Sequence, residues 1–223
     1  MLFRSLGIGA QKGIKLGVEG EDAPNVLSGV DFLARIHRGE SVAIGDDVAI
    51  VGGGDTAIDA ARIAKRLGAK QVTIVYRRTV KEMPAIDEEI EEAEKEGVKM
   101  HFLTQPVAFV KEGERVTAMK CIQMALGEPD SSGRRRPVPV EGSDFEIPVT
   151  SVIAAISQEP DFEGFGQLIE GRDWFKVDDG GETKLENVYA GGDAVWLDIA
   201  TTAIGHGRRA AESMIRRFQG LPK

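Results

Sequence analysis

Apolar positions change their spacing most sharply in one stretch of the chain. Val48-Ala49-Ile50-Val51 is an unbroken apolar run of buried-strand length, and it empties into Gly52-Gly53-Gly54-Asp55-Thr56-Ala57. Beyond the glycines the apolar residues recur at helical spacing, at Ala57, Ala60, Ala61, Ala64 and Leu67, with Gly68 as the stop. The pattern predicts strand, glycine turn and helix, and the strand-like run Gln71 to Tyr76 closes a βαβ unit.

The same reading extends in both directions. Met1 to Ile8 is strand-like, Gly9 to Gly13 turns, and Val18 to Val26 reads as an irregular connection. Ser28-Gly29-Val30-Asp31 has capping-box spacing and opens a short helix through His37, a surface residue, which Gly39 stops. After Met83-Pro84-Ala85 a helix runs from about Ile86 to Glu96. Ile86, Ile90 and Ala93 form its apolar stripe, its acids form a solvated face, and one glutamate near its start is a candidate for the nucleotide ribose.

Val98 to Leu103 follows as a strand. Pro106 to Val110 and Arg115 to Met124 flank Lys111-Glu112-Gly113-Glu114 as a hairpin, and Phe145 to Val149 and Ser151 to Ile156 add two strands. The fold class is therefore α/β, a Rossmann-like domain whose parallel sheet is interrupted by a β-meander crossover. Leu6-Gly7-Ile8-Gly9-Ala10 and Ala155 to Asp161 are matching exits from apolar strands, which predicts that this domain is inserted into a second one built from both chain ends.

The glycine turn carries the first candidate chemistry. Gly52-x-Gly54-x-x-Ala57 is the dinucleotide fingerprint with alanine at its third small position. Gly52 permits the tight turn, Gly54 lets backbone approach a pyrophosphate, and Ala57 lets the helix pack on the sheet. Gly53, Asp55 and Thr56 complete the loop, whose free amides and helix dipole favour phosphate. Where an NAD site carries an acidic residue at the end of the second strand, this chain has Tyr76-Arg77-Arg78-Thr79. Guanidinium groups bind a 2′-phosphate that a carboxylate would repel, so Arg77 and Arg78 predict NADP(H) over NAD(H).

A second glycine turn follows the short apolar strand in Asn187-Val188-Tyr189-Ala190-Gly191-Gly192-Asp193. Asp193 can accept a hydrogen bond from a ligand hydroxyl where Gly191 and Gly192 permit close approach. The helix predicted from Ile199 to Phe218 starts facing that site with Thr201 and Thr202, and is apolar at Ala203, Ile204, Gly207, Ala211, Met214, Ile215 and Phe218. His206, Arg208 and Arg209 read as surface residues.

Composition narrows the partners. With 223 residues, 42% hydrophobic, a net charge of −8 and a pI near 5.1, the chain has ample core and no general affinity for nucleic acid or an anionic membrane. No apolar run approaches the roughly 20 residues needed to span a bilayer, and the start lacks a signal-peptide pattern. The single cysteine, Cys121, excludes an internal disulfide, cannot hold an iron–sulfur cluster, and fits a reducing, cytoplasmic setting as a buried structural thiol. Arg134-Arg135-Arg136, between Asp130-Ser131-Ser132-Gly133 and Pro137, reads as an exposed loop. No residue earns a catalytic or metal-ligand assignment, and oligomeric state is open.

The residues together resemble the C-terminal half of the glutamate synthase small (beta) subunit family, flavoproteins with two dinucleotide-binding domains. The resemblance is carried by Gly9-Ala10-Gln11-Lys12, Leu27 to Leu33, Gly52 to Ala61, Val75 to Ala85, Arg136-Pro137-Val138-Pro139, Val152 to Asp161 and Val188 to Ala211. Its most specific part is Tyr76-Arg77-Arg78-Thr79 with Glu82-Met83-Pro84-Ala85. It implies an NADPH-binding domain over 45–155, a partial FAD-binding domain with its connection over 1–44, and the C-terminal part of the FAD domain over 156–223. Gly52 to Thr56 would hold the NADPH pyrophosphate, and Arg77 and Arg78 the 2′-phosphate. Gly192 and Asp193 would contact FAD, with Thr201, Thr202 and Ala203 near the flavin. Hydride would pass from NADPH to FAD, and electrons onward to iron–sulfur clusters.

The chain departs from that family in three ways: it lacks the first fingerprint and the cluster cysteines, it has Ser157 in place of a usual glycine, and it is short at Trp196-Leu197-Asp198. These departures imply a piece whose missing FAD and iron–sulfur half precedes it or is a separate electron-transfer subunit, with FAD held only when that half is present. A non-catalytic nucleotide-binding or assembly module is the rival reading. An NADP-dependent dehydrogenase acting directly on a small substrate is a second one, but neither tyrosine nor any histidine sits in a loop context suited to acid–base work.

Overall fold

A computed structural model describes residues 2–169 and 174–221. The chain divides into two compact units, Gly13–Gln158 and a second formed by Met1–Lys12 with Glu159–Lys223. The first is thus inserted into the second. Residues 13–44, taken in the sequence with the FAD-side connection, fall in the inserted unit.

The inserted unit is built on a five-stranded parallel sheet in the order Val26–Ser28, Ser151–Ala154, Asp47–Val51, Gln71–Val75, Lys99–His101. The run 48–51 is continuously apolar because both faces of the sheet are covered. Val48 and Ile50 pack with Val72, Ile74, Phe32 and the alanine face of helix Asp55–Arg66. Ala49 and Val51 pack with Val75, Val152, Phe109, Val116, Met119 and Cys121. Alanines at 57, 60, 61 and 64, all fully buried, let that helix lie close to the strands. Burial pushes the Cys121 thiol up to about 12, as befits a structural residue.

The second face is covered by an antiparallel sheet. Thr104–Glu112 pairs with Arg115–Pro129, which also pairs with Phe145–Pro148 and, farther along, with Arg135–Pro139. The sequence reading of 134–136 as loop is corrected for residues 135 and 136. The turn covers residues 130–134, so Arg134 lies in it as expected, whereas Arg135–Pro139 is an edge strand, where Pro137 and Pro139 need donate no hydrogen bond. Asn25, buried between the sheets, donates from Nδ2 to the carbonyls of Val116 (2.8 Å) and Thr150 (3.0 Å) and accepts from the Val116 amide (2.9 Å).

In the other unit, Arg4–Leu6 pairs in parallel with Val188–Ala190, and helix Ala200–Phe218 follows. Phe175 anchors its core, with the Phe162 ring 5.0 Å away edge-on and Leu6, Ile8 and Ala194 around it. The helical stripe expected from the sequence is not the packed one. Ile204, Ile215 and Phe218 are 71%, 56% and 77% exposed, whereas Ala210 is buried. The packed side runs through Ala203, His206, Ala210 and Ser213, against which Gly181, Gly180 and Gly191 make close approaches. A two-stranded sheet covers only one side of a helix, which leaves the apolar stripe bare. Among the described residues no helix is long and apolar enough to cross a membrane.

Candidate functional site

The glycine turn lies at the C-terminal end of Asp47–Val51. One neighbour of this strand is the next strand in sequence and the other, Ser151–Ala154, comes from the far end of the unit. That is a topological switch point, where open α/β sheets bind ligands. The three glycines differ in what a side chain would meet. Gly52 has φ +149°, and a Cβ there would overlap the carbonyl oxygen of Ala155. A Cβ on Gly53 would stand 2.6 Å from the Tyr76 ring. Gly54, the helix N-cap, has ordinary extended backbone and only Pro84 Cγ, at 3.7 Å, near its missing Cβ. The described residues thus leave room for a side chain at Gly54.

The first helical hydrogen bonds run from the Ala57 and Ile58 amides to the Gly54 carbonyl. The amides of Gly54, Asp55 and Thr56 thus have no acceptor among the described residues, the arrangement that cradles phosphate. Asp55 does not compete for them, because its Oδ1 accepts from the Ile86 amide at 3.3 Å while the Gly53 carbonyl accepts from Ala85. These bonds fasten residues 85–86 beside the turn.

The arginine pair sits on a loop held by side-chain hydrogen bonds. The Tyr76 hydroxyl donates to the Glu82 carbonyl at 2.8 Å, and Thr79 caps the turn Val80–Glu82 by donating from its amide and hydroxyl to Glu82 Oε2. The Thr79 hydroxyl, with lesser help from its amide, holds the buried Glu82 carboxyl below its ordinary range. The structure separates the two arginines that the sequence reading put on one phosphate. Arg77 is exposed. Arg78 is 6% exposed, and it donates from Nη2 to Asp130 Oδ2 and from Nε to the Arg135 carbonyl, both at 2.8 Å. That partnership spans 52 positions and has no local signature in the sequence.

The second glycine turn gathers its own residues. Gly192 has φ +66° and faces Ala203. Asp193 is half-buried and its Oδ1 accepts from the Asp198 amide at 3.4 Å. Asp198 in turn accepts from the Ile199 amide and the Thr202 hydroxyl just before the helix, while Thr201 is exposed. His206, taken in the sequence as a surface residue, is half-buried and accepts a hydrogen bond at Nδ1 from the Gly192 amide at 3.1 Å. Its spacing of 14 residues from Gly192 gives no sequence signal for this role.

Comparison with known proteins places this geometry in context. A sequence profile described as pyridine nucleotide-disulphide oxidoreductase matches residues 6–207. The NADP(+)-dependent formate dehydrogenase subunit beta of Moorella thermoacetica is 42% identical, over 96% of this chain and 31% of that protein. The glutamate synthase [NADPH] small chain of Halomonas elongata is 37% identical, over 94% of this chain and 48% of that one. The chain thus spans 31% and 48% of these relatives' lengths. Among solved structures, Mycobacterium tuberculosis FprA in complex with NADPH aligns with a TM-score of 0.80 at 17% identity, covering 98% of this chain and 64% of that one, which shows a shared fold.

Proposed function

Since the chain belongs to the pyridine nucleotide-disulphide oxidoreductase family, we propose that its inserted unit is the NADPH-binding, electron-entry part of a flavin-dependent oxidoreductase resembling the glutamate synthase beta subunit. The observation that carries the reading is Gly54. It is a glycine that the protein's own packing does not demand, at the start of a helix whose first amides are unpaired among the described residues. Gly52 to Thr56 would hold the pyrophosphate and Arg77 the 2′-phosphate, with Ala57 keeping the helix close enough for both. When bound, NADPH supplies a hydride and FAD receives it.

The second glycine turn is the C-terminal part of the FAD site in this reading. Gly192 and Asp193 would face the cofactor's ribityl and phosphate groups, with Thr201, Thr202 and Ala203 near the ring. His206 holds the turn's amide so that Asp193 keeps its orientation. Two strands and one helix make half a cradle, so FAD is retained only with the remaining half of the flavoprotein. The relatives bear names of subunits or chains, which supports a partner component, and in this reading electrons pass onward to iron–sulfur clusters in another domain or in that partner, in the cytoplasm.

Titrating the chain with NADPH and NADH tests the entry site. The expected result is NADPH binding tighter than NADH by about tenfold or more, with Arg77→Ala erasing most of that margin and leaving NADH unchanged, since one charge-assisted contact is lost. Equal affinities for the two nucleotides would overturn the assignment.

A further inference from the structure

We propose that His206 is a proton-sensitive positioning residue for the second glycine turn: it holds Gly192, and through it Asp193, only while its Nδ1 is unprotonated. The clamp stands on the geometry of this unit alone, and its consequence for a flavin rests on the reading of the turn given above.

A backbone amide can only donate. The Gly192 amide, 3.1 Å from His206 Nδ1, therefore requires a lone pair on that nitrogen, which puts the proton of the neutral ring on Nε2. In the imidazolium both ring nitrogens carry protons, so Nδ1 would meet the amide donor to donor. A proton on Nδ1 and the bond to Gly192 exclude each other.

The bond restrains the residue on which the turn depends. Gly192 has φ +66°, in the left-handed region that glycine enters and leaves without steric cost. Its carbonyl accepts from the amides of Val195 and Trp196, at 2.9 and 3.1 Å, and so starts the short helical turn Gly192–Ala194 that carries Asp193. His206 grips the other end of the same residue. The helix comes close enough to do so because residue 191 is glycine, where an added Cβ would stand 2.8 Å from His206 Cβ.

Beside the ring lies a cavity of about 320 Å³. Among the described residues, the charged groups that line it with His206 are Asp178 and Asp179 from the segment before Gly181, and Arg209 from its own helix. Strand Val188–Ala190 contributes the uncharged Ala190, and the turn itself carries Asp193. Asp178 Oδ1 accepts from the Gly180 and Glu182 amides, which fixes that carboxylate at the cavity wall. Two carboxylates against one guanidinium make the cavity a place that receives an imidazolium once it has let go of Gly192. An imidazole ordinarily titrates near 6.5, so the turn is held at neutral and alkaline pH and released as pH falls through the titration of the ring. In the flavin reading, the grip of Asp193 on the cofactor weakens in the same direction.

NMR spectroscopy of the full chain without flavin, from pH 8 to pH 5.5, tests the clamp; this window separates an imidazole from carboxylates, which ordinarily titrate near 4. At pH 8 the His206 ring should be protonated at Nε2 only and the Gly192 amide protected from solvent exchange. As the ring takes up its second proton, that protection should fall about tenfold with the same midpoint, while the amides of Val72 and Ile74 in the parallel sheet keep theirs. His206→Asn, whose side-chain oxygen can accept the bond but takes up no proton, should keep Gly192 protected across the window, and His206→Ala should leave it unprotected throughout. A ring protonated at Nδ1 at pH 8, protection unchanged through the ring's titration, or the wild-type pH response persisting in His206→Asn would overturn the clamp and leave the flavin reading standing. Because no flavin enters the measurement, a failure of the flavin reading would leave the clamp standing.

Discussion

At the scale of single residues, the three glycines separate folding from binding. Gly52→Ala must displace the Ala155 backbone and adopt φ +149°, so we expect it to cost about 2 kcal/mol or more of stability. Gly54→Ala has room and an ordinary backbone conformation, so it should cost less than about 1 kcal/mol, mostly as a poorer helix cap. Its Cβ nevertheless intrudes where the pyrophosphate must lie, so NADPH affinity should collapse while the unfolding midpoint barely moves. Calorimetry for stability and fluorescence titration for binding check the pair, and a Gly54→Ala variant that binds normally would remove the main support for the site. The fingerprint was legible because a change from strand to helix spacing brackets it. The roles of Arg78 and His206 were not, since each depends on a partner far along the chain that only the folded topology supplies.

At the scale of elements, the stacking of the two sheets of the inserted unit depends on polar groups as well as on apolar burial. Asn25 satisfies two carbonyls and one amide between the sheets, and Asn25→Ala leaves all three without that partner. Buried polar groups left unpaired cost about 1–3 kcal/mol, so chemical denaturation should show a loss of that order, whereas Asn25→Asp should be partly tolerated only near the acid limit.

Two carboxylates make the unit acid-sensitive. Glu82 is lowered by Thr79, and Glu96 is lowered by Arg66 and then Arg62, which bridge it from helix Asp55–Arg66. Depressed folded-state values mean that each stabilises the fold above the ordinary carboxylate range and loses that contribution as pH falls through the folded value. Thermal midpoints measured from pH 7 down to pH 3 should therefore fall for the wild type. They should start lower and fall less for Glu82→Gln and Glu96→Gln; parallel curves would refute the linkage. The helices and four of the parallel strands could be read from periodicity, but two edge strands could not: Val26–Ser28 is too short to show a period, and the prolines of Arg135–Pro139 mimic a loop until an edge position makes them harmless.

At the scale of the whole molecule, the inserted unit has a sheet covered on both faces, while the flanking unit has a strand pair and one helix. The apolar spacing of Ile204, Ala211, Ile215 and Phe218 predicts a face made for burial, but sequence periodicity does not say what covers it. In this structure nothing among the described residues does, and an exposed apolar stripe of this kind marks a contact surface. Its bare state and the half-cradle at Gly192 and Asp193 have the same cause if the remaining half of the FAD domain packs there. Two consequences then go together. The chain alone should bind NADPH yet purify without flavin, read as the absence of absorbance near 450 nm. Adding the segment of a related flavoprotein that lies outside the region aligned with this chain should confer FAD binding, and Ile204→Glu with Phe218→Glu should block that gain while leaving NADPH affinity of the inserted unit intact. A chain that holds stoichiometric FAD unaided, or a double variant that still assembles with flavin, would show that the stripe is not the surface where the FAD domain closes.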